Sequence, residues 1–274
     1  MLSKAEASQF DRNGYLVVND VLSFEEVEGL RMAVAAPEVR ARLEAKSSDE
    51  KGVHLFDLTA KNDIFKSLAR DARLVERVAD LLGPDLQLHH SKLATKPPRK
   101  DAGIFPWHQD FNSFPHTNTD LLAVNVLLDD ATPENGCMYM VPGSHKLGLL
   151  AHDRESGQLL ADYLWELPGS TAPVAPRAGG ISLHHCLTAH YSPDNLSGRD
   201  RRSLIFQYRA ANSVQLTEGI FADTGFVVRG ADPGKIRLTS AVWDLRGSPA
   251  SMTVERTTGT RARDWNAEPT TGTT

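Results

Sequence analysis

Residues 107–110 read Trp107-His108-Gln109-Asp110, and a strand is the backbone that gives this run a chemical use. On a β-strand successive side chains point to opposite faces. A strand over residues 106–111 therefore sends His108 and Asp110 the same way and Gln109 the other. One imidazole nitrogen and one carboxylate oxygen on the same pleat can hold two adjacent corners of a metal ion. A third ligand from a distant strand completes a face of two histidines and one carboxylate and leaves the remaining coordination positions open. A lone His-x-Asp is a weak signal, because such triplets also arise by chance at solvated strand ends. Its weight comes from the surrounding chain.

Downstream of Gly83, short apolar runs alternate with turn residues: 86–95, 121–128, 138–141, 180–185, 203–208 and 226–228. That spacing predicts an all-β sandwich or barrel over 84–246. Pro142-Gly143-Ser144-His145 and Pro193-Asp194-Asn195 are turns by composition. Residues 1–83 predict a helical section instead. A short helix over 3–13 ends at Asn13-Gly14, a strand follows at 15–18, and Ser23-Phe24-Glu25-Glu26 is a capping box. Val27, Leu30 and Val34 recur at helical spacing, residues 37–52 predict a helix with a charged surface stretch, and a further helical segment over 64–82 stops at Gly83-Pro84. The section 146–176, with Trp165, looks like a loop over the mouth of the β core. From 247 to 274, Gly, Ser, Thr, Arg and Pro dominate, which predicts a flexible tail.

The bulk numbers exclude more than they assign. The chain has 274 residues, 41% hydrophobic and 24% charged, ordinary for one globular domain. A net charge of −5 without basic runs speaks against nucleic acid as a partner. No signal region opens the chain, and no stretch nears the roughly 18 apolar residues of a membrane span. Two cysteines, Cys137 and Cys186, make no disulfide framework, so reduced thiols in a cytoplasmic protein are the expectation. Asn195-Leu196-Ser197 fits a glycosylation sequon, read here as chance.

Ten histidines offer many candidates, most of them structural. His116, His145 and His152 lie in turn-rich segments. His184 and His185 are adjacent, so at most one faces the interior. His190 differs because Tyr191 through Asp200 form a turn-rich stretch and an arginine then opens the next strand. That geometry sets a fixed cation near the metal, able to hold a carboxylate at two points. Periodicity leaves two choices for the cation. Arg202 shares its face with Leu204, Phe206 and Tyr208, whereas Arg201 shares its face with Ser203, Ile205 and Gln207.

These pieces together resemble the phytanoyl-CoA dioxygenase family of Fe(II)/2-oxoglutarate oxygenases. The matching segments run nearly the whole chain in order: Phe10-Asp11-Arg12-Asn13-Gly14-Tyr15-Leu16-Val17, Lys96-Pro97-Pro98, Trp107-His108-Gln109-Asp110, residues 129–137, Val141-Pro142-Gly143-Ser144-His145-Lys146, and His190 to Arg201. The resemblance implies a double-stranded β-helix, a jelly-roll of cupin type, with the helical section packed on it, in a single domain over 1–246. It implies His108, Asp110 and His190 as iron ligands, with 2-oxoglutarate and O2 as co-substrates. Arg201 matches the arginine that pairs with the far carboxylate of 2-oxoglutarate, and Ser192 matches a hydroxyl assisting it. Lys92, or His90 on the same pleat face, is a further co-substrate contact, and His54 falls near another. Two departures stand out: some relatives carry a Trp where this chain reads Ala123-Val124-Asn125-Val126, and Tyr191-Ser192-Pro193 replaces a Gly-Ser-Gly.

The implied activity is hydroxylation of an unactivated C–H bond with release of succinate and CO2; desaturation, ring closure and epoxidation use the same oxidant. Position alone suggests Phe111, Asn112, Phe114, Trp165 and Tyr191 for the substrate pocket. The absence of a basic cluster points away from a CoA ester and toward a small metabolite or natural-product intermediate. Two rivals belong to other classes: a metal-binding β-barrel without oxygenase activity, and a zinc hydrolase of cupin-like fold.

Overall fold

The computed structural model of the chain describes residues 1–46, 53–98, 104–160, 171–217, 221–238, 242–244 and 253–255. Its first elements are set by local hydrogen bonding. At the start of α1 (Lys4–Asn13), Ser3 Oγ accepts from the Glu6 amide at 3.2 Å while the Glu6 carboxylate accepts from the Ser3 amide at 2.7 Å. Gly14, at φ 79°, ends the helix and turns the chain into β1 (Tyr15–Val18). A Cβ at Gly14 would lie 2.4 Å from His145 Nδ1, so both the backbone and the space demand glycine. Ser23 and Glu26 repeat the capping box at α2 (Phe24–Val34), which α3 (Pro37–Lys46) follows.

Between 53 and 82 the structure departs from the single helical segment expected over 64–82. It contains β2 (Val53–Phe56), α4 (Leu58–Lys61), α5 (Asp63–Leu68) and α6 (Ala72–Leu82). The break has a local cause: the Asp71 carboxylate accepts from the Arg73 amide at 2.8 Å and starts a fresh helix.

The rest is mainly antiparallel sheet. β3 (Leu86–Lys96) precedes β4 (Phe105–His108), α7 (Asp110–Ser113), β5 (Leu121–Leu127), β6 (Met138–Met140), β7 (Ala172–Val174), β8 (Ile181–His185), β9 (His190–Ser192), β10 (Arg201–Ala210) and β11 (Phe226–Arg229). A seven-stranded sheet runs β1-β8-β5-β10-β3-β11, with β2 also paired to β3. The second sheet runs β4-β9-β6-β7. A small hairpin pairs β12 (Val242–Asp244) with β13 (Thr253–Glu255). Most of the expected tail, and Trp165 in the 146–176 section, lie outside the described residues.

Each long strand of the larger sheet has one oily and one polar face. Leu204, Phe206 and Tyr208 of β10, with Leu93 of β3 and Val124 of β5, join one buried cluster with Val27, Leu30, Leu74 and Val75 from the helices. Arg201, Ser203 and Ile205 point the other way, into a cavity whose walls come from both sheets. The register of β3 against β10 slips by one residue at His89, between the pairs His90↔Gln207 and Leu88↔Tyr208. That bulge puts Leu88 in the oily cluster although Lys92, four residues on, lines the cavity.

Three smaller expectations resolve here. Asn195 is buried, and its amide donates to Lys96 O at 2.8 Å and Arg199 O at 2.7 Å, so the sequon is a structural asparagine. Cys137 and Cys186 are free, buried thiols. Among the described residues no helix is long and apolar enough to cross a membrane.

Candidate active site

His108, Asp110 and His190 converge, with one ligand atom from each lying within 4.8 Å of the others. The route differs from the strand expected over 106–111. β4 stops at His108, and Asp110 opens the one-turn helix α7. The turn, not the pleat, brings the carboxylate back beside the imidazole. Gln109 is held away from the cavity: its amide group donates to Gly148 O at 2.9 Å and Leu187 O at 2.7 Å. His190 comes from β9, whose register places it directly opposite His108.

The hydrogen bonds around these rings select a tautomer. His108 Nδ1 lies 2.7 Å from Pro106 O, and His190 Nδ1 lies 2.9 Å from Thr188 O. A carbonyl only accepts, so each Nδ1 carries the proton and each Nε2 keeps a lone pair. Those lone pairs face Asp110 Oδ1 at 3.8 and 3.9 Å, too far for hydrogen bonds. Two nitrogen lone pairs and an oxygen turned on one point is a donor set that a divalent cation satisfies. The other carboxylate oxygen, Asp110 Oδ2, lies 3.1 Å from His184 Nε2 on β8. Burial pushes His108 and His190 below the ordinary imidazole range, keeping both neutral. Burial alone would raise Asp110, but the His184 hydrogen bond, with positive charge nearby that includes Lys92, outweighs it and holds the carboxyl well below its usual range.

The cavity spans about 710 Å³ with its open mouth, and Arg201, Ser192, Lys92 and Tyr191 line it alongside the three ligands. Sheet geometry chooses between the two arginines. Arg202 turns toward the helices and forms a two-point pair with Asp129, 2.8 Å at each contact. Arg201 is 7% exposed, and its Nε has no hydrogen-bond partner. Burial lowers it to about 10, which still leaves it charged at neutral pH. Its Nη1 donates to Gly136 O, as does Ser192 Oγ at 2.8 Å, so both donors already aim at one acceptor. Gly136 is obligatory: a Cβ there would lie 2.4 Å from Pro193 O.

Other expected residues sit elsewhere. His90 is on the cavity side of β3, but the Phe221 ring stacks over it at 4.2 Å, and its Nδ1 meets His89 Nδ1 at 2.6 Å. It is not among the residues lining the cavity. Phe111 and Asn112 follow Asp110 around α7 and are buried away from the cavity, Phe111 in a cluster with Phe114, Leu121 and Phe221. Phe114 shares that cluster. Tyr191 does reach the cavity, between Trp107 at 4.3 Å and Tyr139 at 5.3 Å. His54 also lines it, stacked on Phe105 at 4.7 Å.

Sequence reasoning missed four neighbours. His184, Asn125 and Ser182 face the cavity, and Lys96 stands beside Arg201 in register while donating to Ser192 Oγ at 2.6 Å. Burial, helped by the charge of Arg201, brings Lys96 down to about 7. Alternation from Arg201 and Ser203 across the paired strands could have found all of them, but the pairing itself was not legible.

Comparison with known proteins gives the same picture. The family model described as Phytanoyl-CoA dioxygenase (PhyH) matches residues 10–203. A probable alpha-ketoglutarate-dependent hypophosphite dioxygenase of Stutzerimonas stutzeri is 34% identical over 158 residues, 55% of this chain and 54% of that relative. The ectoine dioxygenase of Sphingopyxis alaskensis is 29% identical over 266 residues, 86% of each chain. The crystal structure of EctD from S. alaskensis with 2-oxoglutarate and 5-hydroxyectoine superposes with a TM-score of 0.65 at 28% identity, covering 77% of each chain.

Proposed function

This chain belongs to the phytanoyl-CoA dioxygenase family and is an iron- and 2-oxoglutarate-dependent oxygenase; from that premise we propose that it hydroxylates an unactivated C–H bond of a small metabolite or natural-product intermediate. The observation that carries the proposal is the convergence of His108 Nε2, His190 Nε2 and one Asp110 oxygen, within a cavity that also holds a buried arginine. In this reading His108, Asp110 and His190 hold the iron. Arg201 receives the far carboxylate of 2-oxoglutarate, with Ser192 turning its hydroxyl from Gly136 O to assist. Bound iron would supply O2 activation coupled to decarboxylation of 2-oxoglutarate to succinate.

The protein's own work is to orient and to exclude water. Carbonyl contacts fix the tautomers of both imidazoles, and His184 fixes the rotation of the Asp110 carboxylate. Tyr191 walls one side of the substrate space, braced by the rings of Trp107 and Tyr139. Relatives named for ectoine and hypophosphite support a small substrate over a CoA thioester. We read the chain through residue 246 as one oxygenase domain, a double-stranded β-helix with the helices of residues 1–83 against its larger sheet.

The test is direct. The full chain with Fe(II), ascorbate and 2-oxoglutarate forms succinate under air and none without O2, and a screen over amino acids, acyl-CoA esters and pathway intermediates finds a compound that stimulates it. Asp110→Ala loses both bound iron and turnover. Wild-type succinate formation by that variant, or no 2-oxoglutarate binding to the parent protein by calorimetry, overturns the proposal.

A further inference from the structure

The residue between two of the metal ligands is gripped from outside the cavity. Strand β4 ends at His108 and α7 begins at Asp110, so Gln109 is the single joint that sets the angle between imidazole and carboxylate. Its backbone is extended, at φ −117° and ψ 130°, and the residue is fully buried. Rotation about either of these two soft dihedrals would swing the ligands apart. The Gln109 N–H lies ahead of the first helical turn and has no partner within α7.

The restraint comes from residues 148–160. The Gln109 N–H donates to His152 Nε2 at 3.1 Å. His152 Nδ1 lies 2.8 Å from Leu150 O, and a carbonyl only accepts, so Nδ1 carries the proton and Nε2 presents its lone pair to that amide. The same segment holds the Gln109 side chain: Leu150 N donates to its Oε1 at 2.8 Å, and its Nε2 donates to Gly148 O at 2.9 Å. His152 pairs with Leu159 across a short hairpin, and Leu159 N donates to Trp107 O at 2.8 Å. Leu159 packs with Val141 and Ala189 against Trp107. Asp153 closes the hairpin tip, where its Oδ1 accepts from the Ser156 amide and hydroxyl, each at 2.8 Å. Four hydrogen bonds from one segment therefore clamp residues 107–109. His152 does not line the cavity, so its effect on the site runs through the Gln109 amide.

We infer that His152 is a positioning residue for the metal site: its imidazole, delivered by the 148–160 hairpin, fixes the Gln109 peptide and with it the angle at which His108 and Asp110 meet the metal. The inference rests on the oxygenase reading above and adds to the site a residue that touches none of the reacting groups. Loss of the acceptor leaves a buried N–H unpaired, and the peptide turns to find another partner. Such a turn lowers metal affinity without removing a donor atom. Partners that orient metal ligands in this way are typically worth about 10- to 100-fold in affinity.

The experiment titrates the metal-free full chain with Co(II), reading Kd by calorimetry and ligand geometry by visible absorption. His152→Leu keeps much of the ring's bulk but offers no acceptor, whereas His152→Gln offers an amide oxygen in the place of Nε2. His152→Leu weakens Co(II) binding by about tenfold or more and shifts the visible bands, while His152→Gln stays within about threefold of the parent and keeps its spectrum. A general loosening of the fold would weaken both variants alike, so the contrast isolates the hydrogen bond. Parent-like affinity and spectrum in His152→Leu overturn the inference, and so does an equal loss in the two variants. Should His152→Leu fail to fold, His152→Asn, whose shorter side chain does not reach the Gln109 amide, takes its place. A parent chain that binds no Co(II) sinks the metal-site reading first; Co(II) binding that is indifferent to residue 152 sinks this inference alone.

Discussion

Arg201 and Arg202 differ by one position in the chain and by an entire sheet thickness in what they meet. The guanidinium of Arg202 is satisfied by Asp129 on the outer side, whereas Arg201 enters the cavity with its Nε unpaired. Their replacement should therefore separate cleanly. Arg201→Ala weakens 2-oxoglutarate binding by about 2–5 kcal/mol, roughly 30-fold to several thousandfold in Kd, because a buried two-point carboxylate contact is lost. Arg202→Ala leaves that Kd nearly unchanged and costs at most a modest loss of stability from a half-buried pair. Calorimetric titration of both variants with 2-oxoglutarate checks the contrast, and equal losses would refute the assignment. Sequence periodicity could name both candidates but not choose, since the polar row and the oily row are equally regular. Asp110 shows a different limit: its identity as a ligand was readable from His-x-Asp, but its backbone was not, because one helical turn and one strand pleat both return a side chain to its neighbour's side.

At the scale of elements, β10 carries the design. Its outer residues bind the sheet to the helices and its inner residues furnish the site, so stability and function can be perturbed separately along one strand. Leu204 is fully buried in the outer cluster. Leu204→Ala should destabilise the protein by about 2–5 kcal/mol in urea unfolding, from lost burial plus the cavity left behind. The affinity of the surviving folded protein for 2-oxoglutarate should stay within a small factor. A large affinity loss without a stability loss would mean the two faces had been assigned backwards. The loop motifs make sense at this scale too. Gly143 N donates to Asn13 O at 2.9 Å, His185 N to Gly14 O at 2.9 Å, and Thr188 Oγ1 to the same carbonyl at 2.8 Å. Segments far apart in the chain thus brace the turn that presents His190. Their motifs were legible as words, but their meeting was not.

For the whole molecule, the buried imidazoles make stability depend on pH in a defined direction. His116 is fully buried, and burial lowers it to about 3; His185 is likewise lowered to about 3, mainly by burial. The unfolded chain takes up a proton on each near pH 6.5, whereas the folded chain does so only near 3. Their neutral burial therefore costs nothing above about pH 6.5 and progressively more as pH falls from there toward 3, by up to about 1.4 kcal/mol per pH unit for each group. Urea midpoints should fall between pH 7 and 5, and His116→Asn should flatten that slope even if it lowers stability at pH 7. An unchanged slope would rule out His116 as a contributor.

What the amino-acid order alone determined was chemistry and alternation: the ligand types, the arginine pair eleven and twelve residues beyond His190, the capped helices, and the change to strand texture after Gly83. These are local properties, written in residue identity and period. The tertiary structure decided which row of each strand faces the cavity, which placed Arg201, Lys92, Asn125 and His184 on one wall and folded His90, Phe111 and Asn112 away. The reason is physical. A strand with two regular faces has no preference between them until helices cover one, and for β10 the burial that settles the matter comes from residues more than a hundred positions away.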